Sequence, residues 1–175
     1  MNLYLIGYRC SGKTTVGRLL AERFGLAFVD TDEEVMQRVG GSISDMVARH
    51  GWPFFRDMEQ KVIRDISGRN NVLAATGGGV VLNGRNVRWM TQSGHLVWLK
   101  ASSETIRDRM ARDRNTEAIR PGLTDAGAFQ EIAAVLRERQ PLYEKAASQT
   151  VETDGRSIES IVAETGSIWE KIKNE

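Results

Sequence analysis

Gly7-Tyr8-Arg9-Cys10-Ser11-Gly12-Lys13-Thr14 has the spacing G-x-x-x-x-G-K-T, and its flanks decide what that spacing means. Asn2-Leu3-Tyr4-Leu5-Ile6 before it reads as a buried strand. Thr14 to Phe24 after it reads as a helix carrying Val16, Leu19, Leu20 and Phe24 on one face. Strand, glycine loop and helix together make a phosphate cradle, in which loop N–H groups and the helix N-terminus point at an anion. Arg9, Cys10, Ser11, Gly12, Lys13, Thr14 and Thr15 are its candidate contacts. The Lys13 ammonium suits the β- and γ-phosphates, and the Thr14 hydroxyl suits Mg²⁺. The alternative, an ordinary glycine turn before a helix, leaves the Lys-Thr pair without a reason. A nucleoside triphosphate is the expected ligand.

Outward from this loop, β and α patterns alternate. Leu26-Ala27-Phe28-Val29-Asp30, Asn71 to Ala75, His95 to Leu99 and Ser148 to Glu152 read as strands. Helices are expected over 33–39, from Ser42, over 53–66 along a line of Phe54, Met58, Val62 and Ile66, over 83–90, after Ala101, over 126–143 with Pro141 kinking or ending it, and from Ser157. Repeated β-α units give an α/β fold with a parallel sheet covered on both faces. Ligands in such sheets collect at the C-terminal ends of the strands. That rule brings together the glycine loop, Asp30 to Asp32, and Gly77-Gly78-Gly79, which are far apart in sequence.

The chain has 175 residues, enough for one compact domain with a substantial core. Lys plus Arg (24) balance Asp plus Glu (23), which gives no polyanion-binding signal. The tryptophans read as packing groups, because no basic stripe accompanies them. A single cysteine fits a reducing compartment. No apolar run approaches the ~20 residues of a membrane span. The expectation is a cytoplasmic monomer with no nucleic-acid or membrane partner.

Asp30 closes an apolar strand, where such an acid helps hold a metal shell. If the backbone stays extended, Asp32 projects to the same side and can take the proton of an acceptor hydroxyl; the alternative role for Asp32 is a helix N-cap. The triple glycine is either a bulged turn or a surface that a ligand approaches closely. Arg139 falls on the inward line Ile132, Leu136, Arg139, Tyr143, as a substrate group or a structural ion pair. Arg56 alone reads as solvated. Facing an apolar pocket together, the two arginines would suit a carboxylate. The polar stretch from Arg112 to Thr124 reads as a functional surface loop. His50 and His95 read as structural, and no metal-ligand cluster or catalytic triad is evident.

In this order the pieces resemble the shikimate kinases, from Leu3 to about Ile161. The resemblance rests on Gly7 to Thr14, Phe28-Val29-Asp30-Thr31-Asp32, Phe55-Arg56 with Glu59, Gly77-Gly78-Gly79, Asn115 with Arg120-Pro121, Arg139 with Pro141-Leu142-Tyr143, and Val151-Glu152-Thr153. It implies a P-loop, nucleoside-monophosphate-kinase-like fold: three layers, a five-stranded parallel sheet in the order 2-3-1-4-5, a substrate-binding helical region at about 33–66 and a mobile lid at about 112–124. The implied activity is transfer of the ATP γ-phosphoryl to the shikimate 3-hydroxyl, a step towards chorismate and the aromatic amino acids. Asp32, Arg56, Gly77, Gly78, Gly79 and Arg139 would meet the substrate, Lys13 and Arg120 the phosphates, and Thr14 and Asp30 the Mg²⁺. Arg112 and Arg156 would lie on the adenine side. A gluconate-type kinase of the same fold is the alternative.

The chain departs from the family pattern at Cys10, where glycine is usual and a side chain suits only negative φ. It departs again around Val47, where an aromatic wall is usual, in one extra residue before Arg120, and at Glu152, where Asp is usual and the customary proline is missing.

Overall fold

The computed structural model describes residues 1–112 and 131–174. Five parallel strands form one sheet: β1 (Asn2–Ile6), β2 (Ala27–Asp30), β3 (Val72–Ala75), β4 (Gly94–Lys100) and β5 (Gln149–Glu152). Their order is β2-β3-β1-β4-β5, so β1 is central, with Leu5 opposite Ala75 on one side and Val97 on the other. This is the expected order.

The central strands are buried on both faces, which is why they read as unbroken apolar runs rather than alternating ones. Alternation survives in where each side chain goes. Tyr4, Ile6, Val72, Ala74, Leu96 and Trp98 enter one core. Leu3, Leu5, Leu73, Val97 and Leu99 enter the other. Helices α2 (Thr31–Val39), α3 (Ile43–Ser67), α4 (Gly84–Ser93) and α6 (Ile132–Ala146) supply the first core. Helices α1 (Lys13–Phe24) and α7 (Ile158–Lys173) supply the second. Helix α5 (Ser103–Arg112) packs Ile106 and Met110 against Tyr8, Ile132 and Val135.

Several local expectations are corrected. Leu19 and Phe54 point to solvent. The buried line of α3 is Phe55, Glu59, Val62, Ile63 and Ile66, so Val62 and Ile66 are inward as expected, while Phe55 and Glu59 take the buried places in the first turns and Met58 is only partly buried. Helix α3 is broken at Gly51 (φ 78°, ψ 168°), in keeping with the separate helices expected from Ser42 and over 53–66. Pro141 does not end α6, which continues to Ala146 because Tyr143 and Ala146 are anchored in the core. The segment after β2 does not stay extended. Asp30 caps α2 through Oδ1, accepting from the Asp32 and Glu33 amides at 3.0 and 3.3 Å. Thr31 and Asp32 are therefore already helical, and the cap is Asp30 rather than Asp32.

No helix among the described residues is long and apolar enough to cross a membrane. All but the first residue of the expected lid lies outside the described residues, Arg120 included.

Candidate active site

The C-terminal ends of β1, β2 and β3 lie side by side, and the three sequence-distant segments meet there. The loop after β1 wraps back on itself: Lys13 Nζ donates to the Tyr8 carbonyl at 2.7 Å, and Gly12 (φ 100°) begins α1. Ser11 and Lys13 are buried, and Thr15 is exposed. Cys10 has φ 59°, so the condition attached to a side chain there is not met, and the cysteine sits in the left-handed region. Its carbonyl accepts from Arg109 at 3.2 Å.

Beside the loop, Thr14 Oγ1 donates to Asp30 Oδ2 at 2.7 Å. One carboxylate thus joins two elements. Oδ1 starts α2, and Oδ2 meets the residue after the loop lysine. Among the described residues no group of three His, Cys, Asp or Glu side chains could hold a metal by itself. A hydroxyl and a carboxylate oxygen side by side at the end of a phosphate loop still fit Mg²⁺, a hard cation that keeps several waters and binds through few protein oxygens.

Next to the phosphate loop opens a cleft. Asp32, Arg56, Glu59 and Arg139 line it together with Gly77, Gly78 and Gly79, and Ile43, Trp52 and Phe55 form an apolar wall. Aromatic surface therefore comes from Trp52 and Phe55, with rings edge-to-face at 5.7 Å, while Val47 packs partly buried against the core. The Arg56 guanidinium lies 5.4 and 5.1 Å from those ring centroids. Glu59 holds it through both carboxylate oxygens at 3.0 and 2.9 Å. Arg139 reaches from α6 to the Gly78 carbonyl at 3.2 Å, and Tyr143 donates to the same oxygen. Neither arginine is solvated in the ordinary sense, and the pair faces an apolar wall as a carboxylate clamp requires.

Each glycine of the triplet has its own steric reason. A methyl at Gly77 would come within 2.6 Å of Asp32 Oδ1 and 2.8 Å of Glu59 Oε1. At Gly78 it would press on the phosphate loop, 3.3 Å from the Arg9 amide nitrogen and 3.4 Å from the Gly7 carbonyl. At Gly79 it would occupy the space of the Arg56 guanidinium. The triplet is the floor of the cleft, approached closely by site groups on every side.

Electrostatics follow from burial. Glu59 is 1% exposed, and desolvation pushes its carboxyl up to about 7 despite the opposing pull of Arg56; the nearby Asp32 pushes the same way as burial. Burial likewise pushes the Tyr143 and Tyr8 hydroxyls up, against the neighbouring arginines.

Two residues expected on the adenine side lie at the end of α5 and before α7. Arg112 is exposed at the end of α5. Arg156 folds onto the start of α7, donating to the Glu152 carbonyl, Ser160 and Glu164. The arginine that ties this edge to the phosphate loop is Arg109, which the sequence reading missed. It donates to Thr153 Oγ1 and carbonyl at 3.2 and 2.9 Å as well as to Cys10. The available signal was its position three after buried Ile106, on the inner side of α5. Glu59 and Tyr8 were also missed as site residues. Glu59 could have been found as the i+3 partner of Arg56.

The shikimate kinase family pattern matches residues 9–169. The shikimate kinase of Nitratidesulfovibrio vulgaris is 45% identical over 152 residues, 87% of this chain and 86% of that one. The chain belongs to the shikimate kinase family. The shikimate kinase of Symbiobacterium thermophilum is 40% identical over 99% of this chain and 97% of its own length. Among solved structures, the shikimate kinase of Acinetobacter baumannii in complex with shikimate superposes with a TM-score of 0.90 at 32% identity, covering 99% of this chain and 95% of that one. A gluconokinase from Sinorhizobium meliloti shares the fold, with a TM-score of 0.60 at 16% identity. As a shikimate kinase, the chain has its phosphate loop, its paired arginines and its glycine floor in one continuous surface.

Proposed function

We propose that this chain transfers the γ-phosphoryl of ATP to the 3-hydroxyl of shikimate, giving shikimate 3-phosphate and ADP. The observation that carries the assignment of roles is the cleft itself. Arg56, Arg139 and Asp32 line one cleft with the apolar side chains of Ile43, Trp52 and Phe55, and the cleft floor rests directly on the phosphate loop.

Phosphoryl transfer passes through a loose transition state, so positioning and charge neutralisation supply most of the acceleration. The substrate carboxylate is remote from the reacting oxygen. Arg56, fixed from behind by Glu59, and Arg139, fixed by the Gly78 carbonyl, bind it and turn the hydroxyl towards the loop. Asp32, held in the first turn of α2, accepts a hydrogen bond from that hydroxyl and takes its proton as the new P–O bond forms. Lys13 neutralises the phosphate oxygens. Thr14 and Asp30 are the residues that would hold Mg²⁺, which when bound screens charge between the β- and γ-phosphates. Arg120, assigned by resemblance and outside the described residues, serves the transferring phosphoryl. The chain is read as a single kinase domain with a substrate-binding region at about 33–66.

A coupled ADP-release assay with shikimate, quinate and gluconate, with and without Mg²⁺, tests the reading. Metal-dependent turnover with shikimate well above that with either alternative is expected. Preference for gluconate would replace the substrate assignment.

A further inference from the structure

Arg9 belongs to the phosphate loop in sequence, yet its side chain lines the acceptor cleft, together with Tyr8. Both are nearly inaccessible, at 6% and 2%. One arm of the Arg9 guanidinium, Nη2, is held by Glu131, whose side chain has no exposure at all. The other arm, Nη1, and the Tyr8 hydroxyl have no hydrogen-bond partner among the described residues. The two groups are neighbours: the guanidinium carbon lies 5.5 Å from the Tyr8 ring centroid, and the Arg9 guanidinium acts on the Tyr8 hydroxyl, opposing the upward pull of burial.

This construction repeats that of Arg56. In each case a buried glutamate stands behind an arginine and fixes its fork, and the arginine lines the cleft. A purely structural ion pair at such depth would leave no arm of the fork open, because a buried donor without a partner is costly. The substrate reading has already used the other groups. Arg56 and Arg139 take the carboxylate, and Asp32 takes the reacting hydroxyl. A further ring hydroxyl needs one donor and one acceptor, and an arginine N–H beside a phenol oxygen offers that combination.

We propose that Arg9 and Tyr8 form an additional acceptor subsite that binds a non-reacting hydroxyl of the substrate ring: Arg9 Nη1 donates to the hydroxyl oxygen, and the hydroxyl donates to Tyr8 Oη. The inference rests on the acceptor being shikimate. Arg9 thereby serves two ligands from one residue, the nucleotide through its loop backbone and the acceptor through its side chain. Glu131 is the positioning residue behind it.

The test uses the intact enzyme with saturating ATP and Mg²⁺, comparing shikimate with its 4-deoxy and 5-deoxy analogues for wild type, Arg9→Met and Tyr8→Phe. Arg9→Met should raise the shikimate KM about tenfold, the usual scale for one lost hydrogen bond to a charged group, with the ATP KM within about threefold. Wild type should discriminate against one deoxy analogue by a similar factor, and Arg9→Met should lose that discrimination. Tyr8→Phe, which removes a single oxygen, should show a smaller loss confined to the same analogue, and it carries the test if Arg9→Met does not fold. An unchanged shikimate KM, equal losses for ATP and shikimate, or discrimination that survives in both variants overturns the subsite. Absence of shikimate turnover in wild type removes the parent reading, and the subsite with it.

Discussion

Cys10 holds a backbone angle that costs an L-residue about 1 kcal/mol or more, and it does so in the middle of the phosphate loop. The conformation aims its carbonyl at Arg109. Cys10→Gly relieves the strain but adds unfolded-state entropy, so thermal stability should be unchanged or slightly higher. Cys10→Val adds a branched Cβ and should lower the melting temperature by roughly 2–4 °C, the equivalent of about 1 kcal/mol in a chain of this size. Equal melting temperatures for glycine and valine would mean that the loop relaxes out of the left-handed region. Glu59 makes a different prediction. Its carboxyl titrates near 7 in the folded protein against an ordinary value of 4.5, so the native state binds its proton more tightly than the unfolded chain does. The stability from that proton is fully present below about pH 4.5 and is lost as pH rises through about 7. Urea unfolding from pH 5 to 8 should therefore show wild type losing stability relative to Glu59→Gln; parallel curves would remove the assignment. Asp32→Asn keeps the shape and removes the base, so kcat should fall about 10²-fold or more. A change confined to KM would leave Asp32 a binding residue.

At the scale of elements, one carboxylate starts α2 and meets Thr14, and the two roles can be separated. Asparagine is as good an N-cap as aspartate, whereas alanine costs about 1 kcal/mol. Asp30→Asn should hold the melting temperature close to wild type while raising the Mg²⁺ concentration for half-maximal activity; Asp30→Ala should lose both. If Asp30→Asn leaves the metal requirement unchanged, Asp30 is a cap alone. The same element shows where sequence reasoning stops. Spacing put Asp30 and Asp32 on one side of an extended chain, but a capping carboxylate forces helix from the next residue. In α3, the expected apolar line held at Val62 and Ile66 and failed at Phe54. The buried stripe contains Glu59, a carboxylate that Arg56 and, less strongly, Arg139 offset there. The central strands were legible because burial on both faces leaves runs that admit no phase error. The glycine loop was legible because its chemistry is written in consecutive residues. Arg109 and Tyr8 were not, because what defines them is a contact across the fold.

At the scale of the whole molecule, the parallel order places β1 between β3 and β4, and the first three strands deliver loop, acid and glycine floor to one edge. The Gly78 backbone lies against the Arg9 amide and the Gly7 carbonyl, so the nucleotide site and the acceptor site are two sides of one wall a peptide thick. Such a wall makes the two affinities a single thermodynamic property. Whatever ADP does to the loop geometry, it does to the floor on which shikimate rests, and linkage makes the effect mutual. Titration calorimetry should find that ADP changes the dissociation constant of shikimate by some factor, and shikimate changes that of ADP by the same factor. Gly78→Ala, which wedges a methyl into the wall, should change that factor as well as the two affinities. A factor of one in wild type would mean that the wall is rigid. Any other value means that selection for tighter nucleotide binding cannot leave acceptor affinity where it was.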